Sequence, residues 1–141
     1  MLTVTVIAVG NLKESYLREA IKEYEKRLTA YCRLRILELK DNTPILPHLP
    51  ERAYTVALCV EGKQKSSEEL AALIDQKASE GFSEIAFVIG AFDGLPEEVK
   101  AACKFRLSFS KMTFPHQLMR VILLEQIYRA FTINAGTKYH K

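Results

Sequence analysis

Three rhythms of apolar and polar residues run along this chain, and each predicts a different kind of element. Residues 2–9 form a β-branched run closed by Gly10, residues 54–60 contain the unbroken apolar stretch Val56-Ala57-Leu58-Cys59-Val60, and residues 85–89 are apolar throughout. The last two runs are what strands covered on both faces require. Residues 34–39 alternate instead, with Arg35 and Glu38 between aliphatic neighbours, as in a half-covered strand. After Ser15, the positions Leu17, Ala20, Ile21, Tyr24, Leu28 and Tyr31 recur at spacings of three and four and describe one helical face. Ser66 with Glu69 reads as a capping box ahead of Leu70, Leu73 and Ile74, and Gly81 stops that helix. A short helix is expected over 96–103, a strand over 105–109 and a long helix over 115–134, while the three prolines of 41–50 mark a connecting loop. Strands alternating with helices from end to end predict an α/β fold, a mostly parallel sheet with helices on both faces, and ligands where loops leave the C-terminal ends of the strands.

Composition narrows this picture. At 141 residues, 48% hydrophobic and 26% charged, the chain suits one compact domain, 1–141, with its own core. The longest nearly apolar stretch, 118–133, is interrupted by Arg120, Glu125, Gln126 and Arg129, so no membrane span is expected, and the opening residues read as no secretory signal. Cys32, Cys59 and Cys103 are odd in number and unclustered, which reads as reduced thiols of a cytoplasmic protein. The net charge of +3 conceals an asymmetry, because residues 104–141 carry seven Lys or Arg against Glu125 alone while the rest of the chain is net acidic. A polyanionic partner fits that skew, and so does plain solubility.

Two segments carry candidate chemistry. Gly90-Ala91-Phe92-Asp93-Gly94 follows a buried strand, where glycine lets backbone approach an adenosine or a phosphate, although an ordinary strand-to-helix turn has the same composition. Residues 108–116 alternate short hydroxyl side chains with Met112 and Phe114, a pattern able to hold the edge and faces of a purine; helix capping by Thr113, with Pro115 in the first turn, is the competing reading. Gly62-Lys63 resembles a phosphate loop only superficially, since Ala57 and Gln64 stand where that motif needs Gly and Ser or Thr, so Lys63 and Lys65 read as loop charges. The final helix is apolar almost all round, which predicts a subunit interface and most simply a two-fold dimer. Glu125 and Arg129 stand four apart as a helix-surface ion pair would. His48, His116 and His140 show no ligand spacing, and no metal is expected.

Taken together, Phe87-Val88-Ile89-Gly90, the run from Leu107 through Val121, Glu125-Gln126-Ile127-Tyr128-Arg129-Ala130-Phe131 and Tyr139-His140-Lys141 resemble the RlmH family over the whole chain, most specifically in its C-terminal half. Members of that family are SPOUT-class methyltransferases acting with S-adenosylmethionine on the position-3 ring nitrogen of a pseudouridine in 23S ribosomal RNA. The resemblance implies a C-terminal trefoil knot, a homodimer built around it, and the large ribosomal subunit as partner. By position it implies a cofactor site of Leu58, Gly90, Ala91, Ser110, Lys111, Met112, Thr113, Phe114 and Pro115. It further implies RNA contacts at Arg120, Lys138 and Lys141, and catalysis by Arg129, Tyr139 and His140, with His140 as the proton acceptor. Two departures stand out: Ala91 replaces a customary second glycine, where its methyl group would crowd the ligand or a positive φ, and the 41–50 connection is short. Ala91 keeps open a non-catalytic RNA-binding or ribosome-assembly factor; a small-molecule nucleotide-binding enzyme is a further alternative, which leaves the basic C-terminus unexplained.

Overall fold

A computed structural model describes residues 1–140. Its five strands are β1 (Thr3–Val9), β2 (Arg33–Leu39), β3 (Tyr54–Gln64), β4 (Glu84–Ile89) and β5 (Phe105–Ser108), and its four α-helices are α1 (Ser15–Leu28), α2 (Ser67–Ser79), α3 (Glu97–Ala102) and α4 (His116–Asn134). The strands form one all-parallel sheet in the order β2-β1-β4-β3-β5. The continuous apolar runs become the interior strands, and β1 is buried from Val4 to Val9. The alternating run becomes the edge strand β2, where Arg33, Arg35 and Leu37 face solvent and leucine at 39 is buried. This is the division expected when only inner strands have both faces covered.

Helices cover both faces. On one, Val4, Val6, Val56, Ile85 and Phe87 pack under Leu17 and Ile21 of α1, Leu70 and Ile74 of α2, and Leu123, Leu124 and Ile127 of α4. On the other, Ile7, Val9, Ala57 and Val88 meet Ile45, Leu95 and Val99, brought by α3 and a single 3-10 turn at Leu46–His48 inside the proline-rich connection. Each such aliphatic side chain contributes on the order of 1.5–3 kcal/mol by leaving water. The capping box forms as expected, with Glu69 N donating to Ser66 Oγ at 3.1 Å and Ser66 N donating to Glu69 Oε1 at 2.8 Å. Burial pushes the Cys32 thiol up to about 11, the behaviour of an inert core cysteine, and all three cysteines are free.

One element differs from expectation in a way that shapes the site. β3 does not end at residue 60 but runs on to Gln64, and Lys63 with it, so that these residues are strand rather than loop. Leu58 pairs with Leu107 of β5, and then Lys63 pairs with the same Leu107, so residues 59–62 bow out of the ladder before β3 rejoins it. Gly62 permits the return: a Cβ there would sit 2.8 Å from the backbone carbons of both Arg106 and Leu107. Thr113 does not cap α4, whose N-cap is Pro115 with no side-chain bond.

Candidate active site

At the C-terminal edge of the sheet, between the ends of β3, β4 and β5, lies a cleft of about 680 Å³. Its floor is Leu58, Ile89 and Leu107; one wall is the turn from Gly90 to Leu95, and the other is the loop after β5, including Ser110, Met112, Thr113, Phe114 and Pro115. Every residue expected to touch a cofactor lines this cleft except Lys111, which is exposed beside it. The turn is tight: Ala91 and Gly94 form a bridge, with Gly94 N donating to Ala91 O at 2.9 Å. Gly90 is required by proximity rather than by φ, because a Cβ there would lie 2.4 Å from both the carbon and the oxygen of Gly94. Ser110 Oγ accepts from Met112 N at 3.0 Å and shapes the opposite loop. Volume and mostly apolar lining match a site for a small organic ligand of nucleoside size.

A second cleft of about 700 Å³ shares the wall from Ala91 to Leu95 and continues past the end of β1, where Gly10, Asn11, Lys13, Asp41 and Gln117 line it. Gln117 ties its two sides together, accepting from Lys13 N at 3.2 Å and donating to Asn11 O at 3.3 Å. His116 lines both clefts.

Arg120, expected to contact RNA, is placed otherwise. Its side chain is 3% exposed, and its guanidinium donates to Glu38 Oε2 at 2.7 Å, to Val9 O at 2.8 Å and to Gly10 O. It therefore clamps α4 to the ends of β1 and β2 and offers nothing to a phosphate outside. Arg129, Tyr139 and His140 do come together, on the far half of α4. Tyr24 and Tyr139 each donate a hydroxyl to Glu125 Oε1 at 2.8 Å, and Arg129 Nε donates to Glu125 Oε2 at 2.7 Å. Burial, reinforced by that carboxylate, pushes the Tyr24 hydroxyl up to about 12, and the bond to Glu125 raises Tyr139. Arg129 Nη1 lies 2.9 Å from His140 Nδ1, and since a guanidinium only donates, Nδ1 is the acceptor; Nε2 faces Glu68 Oε1 at 3.4 Å. None of these residues lines either cleft, and Arg129 sits about 20 Å along the helix from His116. Lys138 is exposed, and Lys141 lies outside the described residues. Among the described residues no group of three His, Cys, Asp or Glu side chains is placed to hold a metal ion, and no helix is long and apolar enough to cross a membrane.

A family model described as "Predicted SPOUT methyltransferase" matches residues 2–140. The chain belongs to the SPOUT methyltransferase family. Among proteins to which this methyltransferase is similar are the ribosomal RNA large subunit methyltransferase H of Clostridium novyi (strain NT), 53% identical over 99% of this chain and 100% of the relative, and that of Bifidobacterium adolescentis, 49% identical over 98% and 99%. Among solved structures, a probable methyltransferase from Bordetella pertussis Tohama I shares the fold, with a TM-score of 0.65 and 11% identity over 91% of this chain and 95% of that one. The alignment to the Clostridium protein extends over 159 positions, so that relative carries residues that this 141-residue methyltransferase lacks.

The departure at Ala91 is milder than its chemistry suggested. Asn42 is the one non-glycine residue with positive φ among those described, so Ala91 carries no strain of that kind, and its side chain packs against the apolar cluster around Val99. Sequence reasoning singled out the segment holding His116 without giving His116 a place of its own, and missed Glu61 and Lys100 as cleft-lining residues. A signal existed for His116, a polar residue directly after the proline that opens a long apolar helix. Glu61 entered only because β3 continues past residue 60, which no local pattern announced.

Proposed function

We propose that this chain binds S-adenosylmethionine in the cleft between the Gly90 turn and the loop of residues 110–115, and methylates the position-3 ring nitrogen of a pseudouridine in 23S ribosomal RNA of the large subunit, in the cytoplasm. The single observation that carries this reading is that Leu58, Gly90, Ala91 and the hydroxyl-rich loop, assembled from three strand ends, line one nucleoside-sized cleft. Exposed Phe92 and Met112 at its rim, 86% and 74% accessible, suit covering by a ligand or a partner. When bound, S-adenosylmethionine supplies an electrophilic methyl group on a sulfonium. The acceptor base then enters through the second cleft, whose shared wall places it beside the first, with Asn11 and Gln117 offering amide edges to it. The threaded C-terminal end is part of this reading, supported by the path on which β3 rejoins β5 and α4 then crosses back to α1 and α2.

A proton must leave the ring nitrogen, and a cation near the base oxygens favours the resulting anion. Arg129 and His140 are the candidates for these two tasks, but they stand far from the cleft of their own chain, and His140 accepts a proton only once its Nδ1 is released from Arg129. Their catalytic role therefore requires a second copy, with the tail of one protomer serving the cleft of the other. Mixing Gly90→Ala chains, impaired in the cleft, with His140→Ala chains, impaired in the tail, is expected to restore methylation that neither variant shows alone. Failure of the mixture, with mixed dimers demonstrated by mass, would dismiss the shared site. The overall reading is tested with radiolabelled S-adenosylmethionine and unmodified bacterial ribosomes: label on one large-subunit pseudouridine is the expected result, and absence of label on ribosomes that another family member modifies would overturn it.

A further inference from the structure

The methyl-transfer chemistry leaves one pair of groups in the first cleft without a task. Glu61, on the outward bow of β3, and Lys100, on α3, both line the cleft and are bonded to one another through Lys100 Nζ and Glu61 Oε1. The Lys100 side chain is only 16% exposed, unusually low for lysine, so its ammonium is held in place rather than free in solvent. The bond raises Lys100 and lowers Glu61 from their ordinary values, keeping both charged. Among the described residues, Lys100 is also the sole Lys or Arg lining that cleft. A neighbouring pair, Arg106 of β5 with Glu97 of α3 at 2.9 Å, does not line the cleft.

We propose that Glu61 and Lys100 receive the amino-acid end of the cofactor, Lys100 taking its α-carboxylate and Glu61 its α-ammonium. This rests on the cofactor reading above and deepens it. The ligand end is a zwitterion, with opposite charges on neighbouring atoms. A carboxylate entering this cleft has one fixed cation to meet, and the ammonium beside it then falls to the carboxylate already paired with that cation. The exchange swaps one ion pair for two contacts of the same kind and brings no net charge into the site, so the desolvation that usually penalises a buried charge is largely avoided. Leu58, Ile89, Leu107 and Phe109 leave an apolar remainder of the cleft for the adenosine.

Calorimetric titration with two matched compounds separates this proposal from the reading beneath it. S-adenosylhomocysteine carries the amino-acid end, whereas 5′-methylthioadenosine keeps the adenosine and the thioether without it. Lys100→Met is expected to weaken S-adenosylhomocysteine about tenfold or more, the usual worth of a charged hydrogen bond, while 5′-methylthioadenosine binds as before. Glu61→Gln, which keeps the shape of the site, should move the ratio of the two affinities in the same direction and decides the matter if Lys100→Met does not fold. Arg106→Gln, which breaks the pair outside the cleft, should change neither. Unchanged S-adenosylhomocysteine affinity, or equal weakening of both compounds, would overturn the proposal and leave the cofactor reading standing. A parent protein that binds neither compound would overturn both.

Discussion

Replacing Arg120 by alanine is expected to cost about 3 kcal/mol of folding stability, because it removes a buried side chain and leaves the Val9 and Gly10 carbonyls without its donors, while Glu38 is exposed enough to be solvated when freed. For a domain of this size that lowers Tm by roughly 10 °C. The magnitude follows from what the guanidinium holds: one carboxylate and two backbone carbonyls, at Glu38, Val9 and Gly10, all gathered by a side chain that is 3% exposed. Alanine leaves those carbonyls without a donor and opens a gap between α4 and the ends of β1 and β2. Lysine restores one charge but cannot span three acceptors, so Arg120→Lys should fall between the two. Thermal unfolding followed by circular dichroism measures the effect. A variant that melts with the parent but binds ribosomal RNA more weakly would return Arg120 to the RNA-contacting role that its sequence position suggested.

Gly90→Ala is expected to abolish measurable cofactor binding while leaving a folded protein. The added Cβ meets backbone on both atoms of the Gly94 carbonyl at 2.4 Å and on Leu95 N at 2.7 Å, so no side chain can move aside and the turn itself must open. Overpacking of this kind costs about 1–3 kcal/mol. The larger effect falls on the cleft, because the displaced residues are its wall. Ala91→Gly is the informative contrast. Its φ is not positive and its methyl group belongs to the apolar cluster beneath the turn, so removal should leave affinity close to the parent value. Titration of all three proteins with S-adenosylhomocysteine checks both statements; retained affinity in Gly90→Ala would show that the turn can shift without cost to the ligand.

The order and character of the elements were legible because each was encoded locally. Unbroken apolar runs marked β3 and β4 as strands covered on both faces, a β-branched run marked β1, the alternation at 34–39 marked a half-covered strand, and Ser66 with Glu69 marked the start of α2. The two walls of the first cleft were legible for a related reason, since the Gly90 turn and the 110–115 loop are continuous segments whose composition departs from that of a plain connection. What escaped was long-range. Lys63 and Gln64 are polar and look like a loop, yet they are strand because β5, more than forty residues later, completes their pairing. Arg120 shares a helix face with His116 in any reading of the sequence, but its partners lie 82 to 111 residues away. The Glu125–Arg129 pair was legible from its spacing of four, but that Tyr139, assigned to catalysis with Arg129, joins the same carboxylate was not.

The turn from Ala91 to Leu95 faces a cleft on each side, and it is strapped by its own bridge into a single piece. A partition of that kind cannot be adjusted for one occupant without being adjusted for the other. Whatever factor the ligand on one side changes in the affinity on the other must, by thermodynamic reciprocity, be returned in equal measure. On the proposed reading donor and acceptor share this wall of five residues, and any coupling it carries between them is the same in both directions.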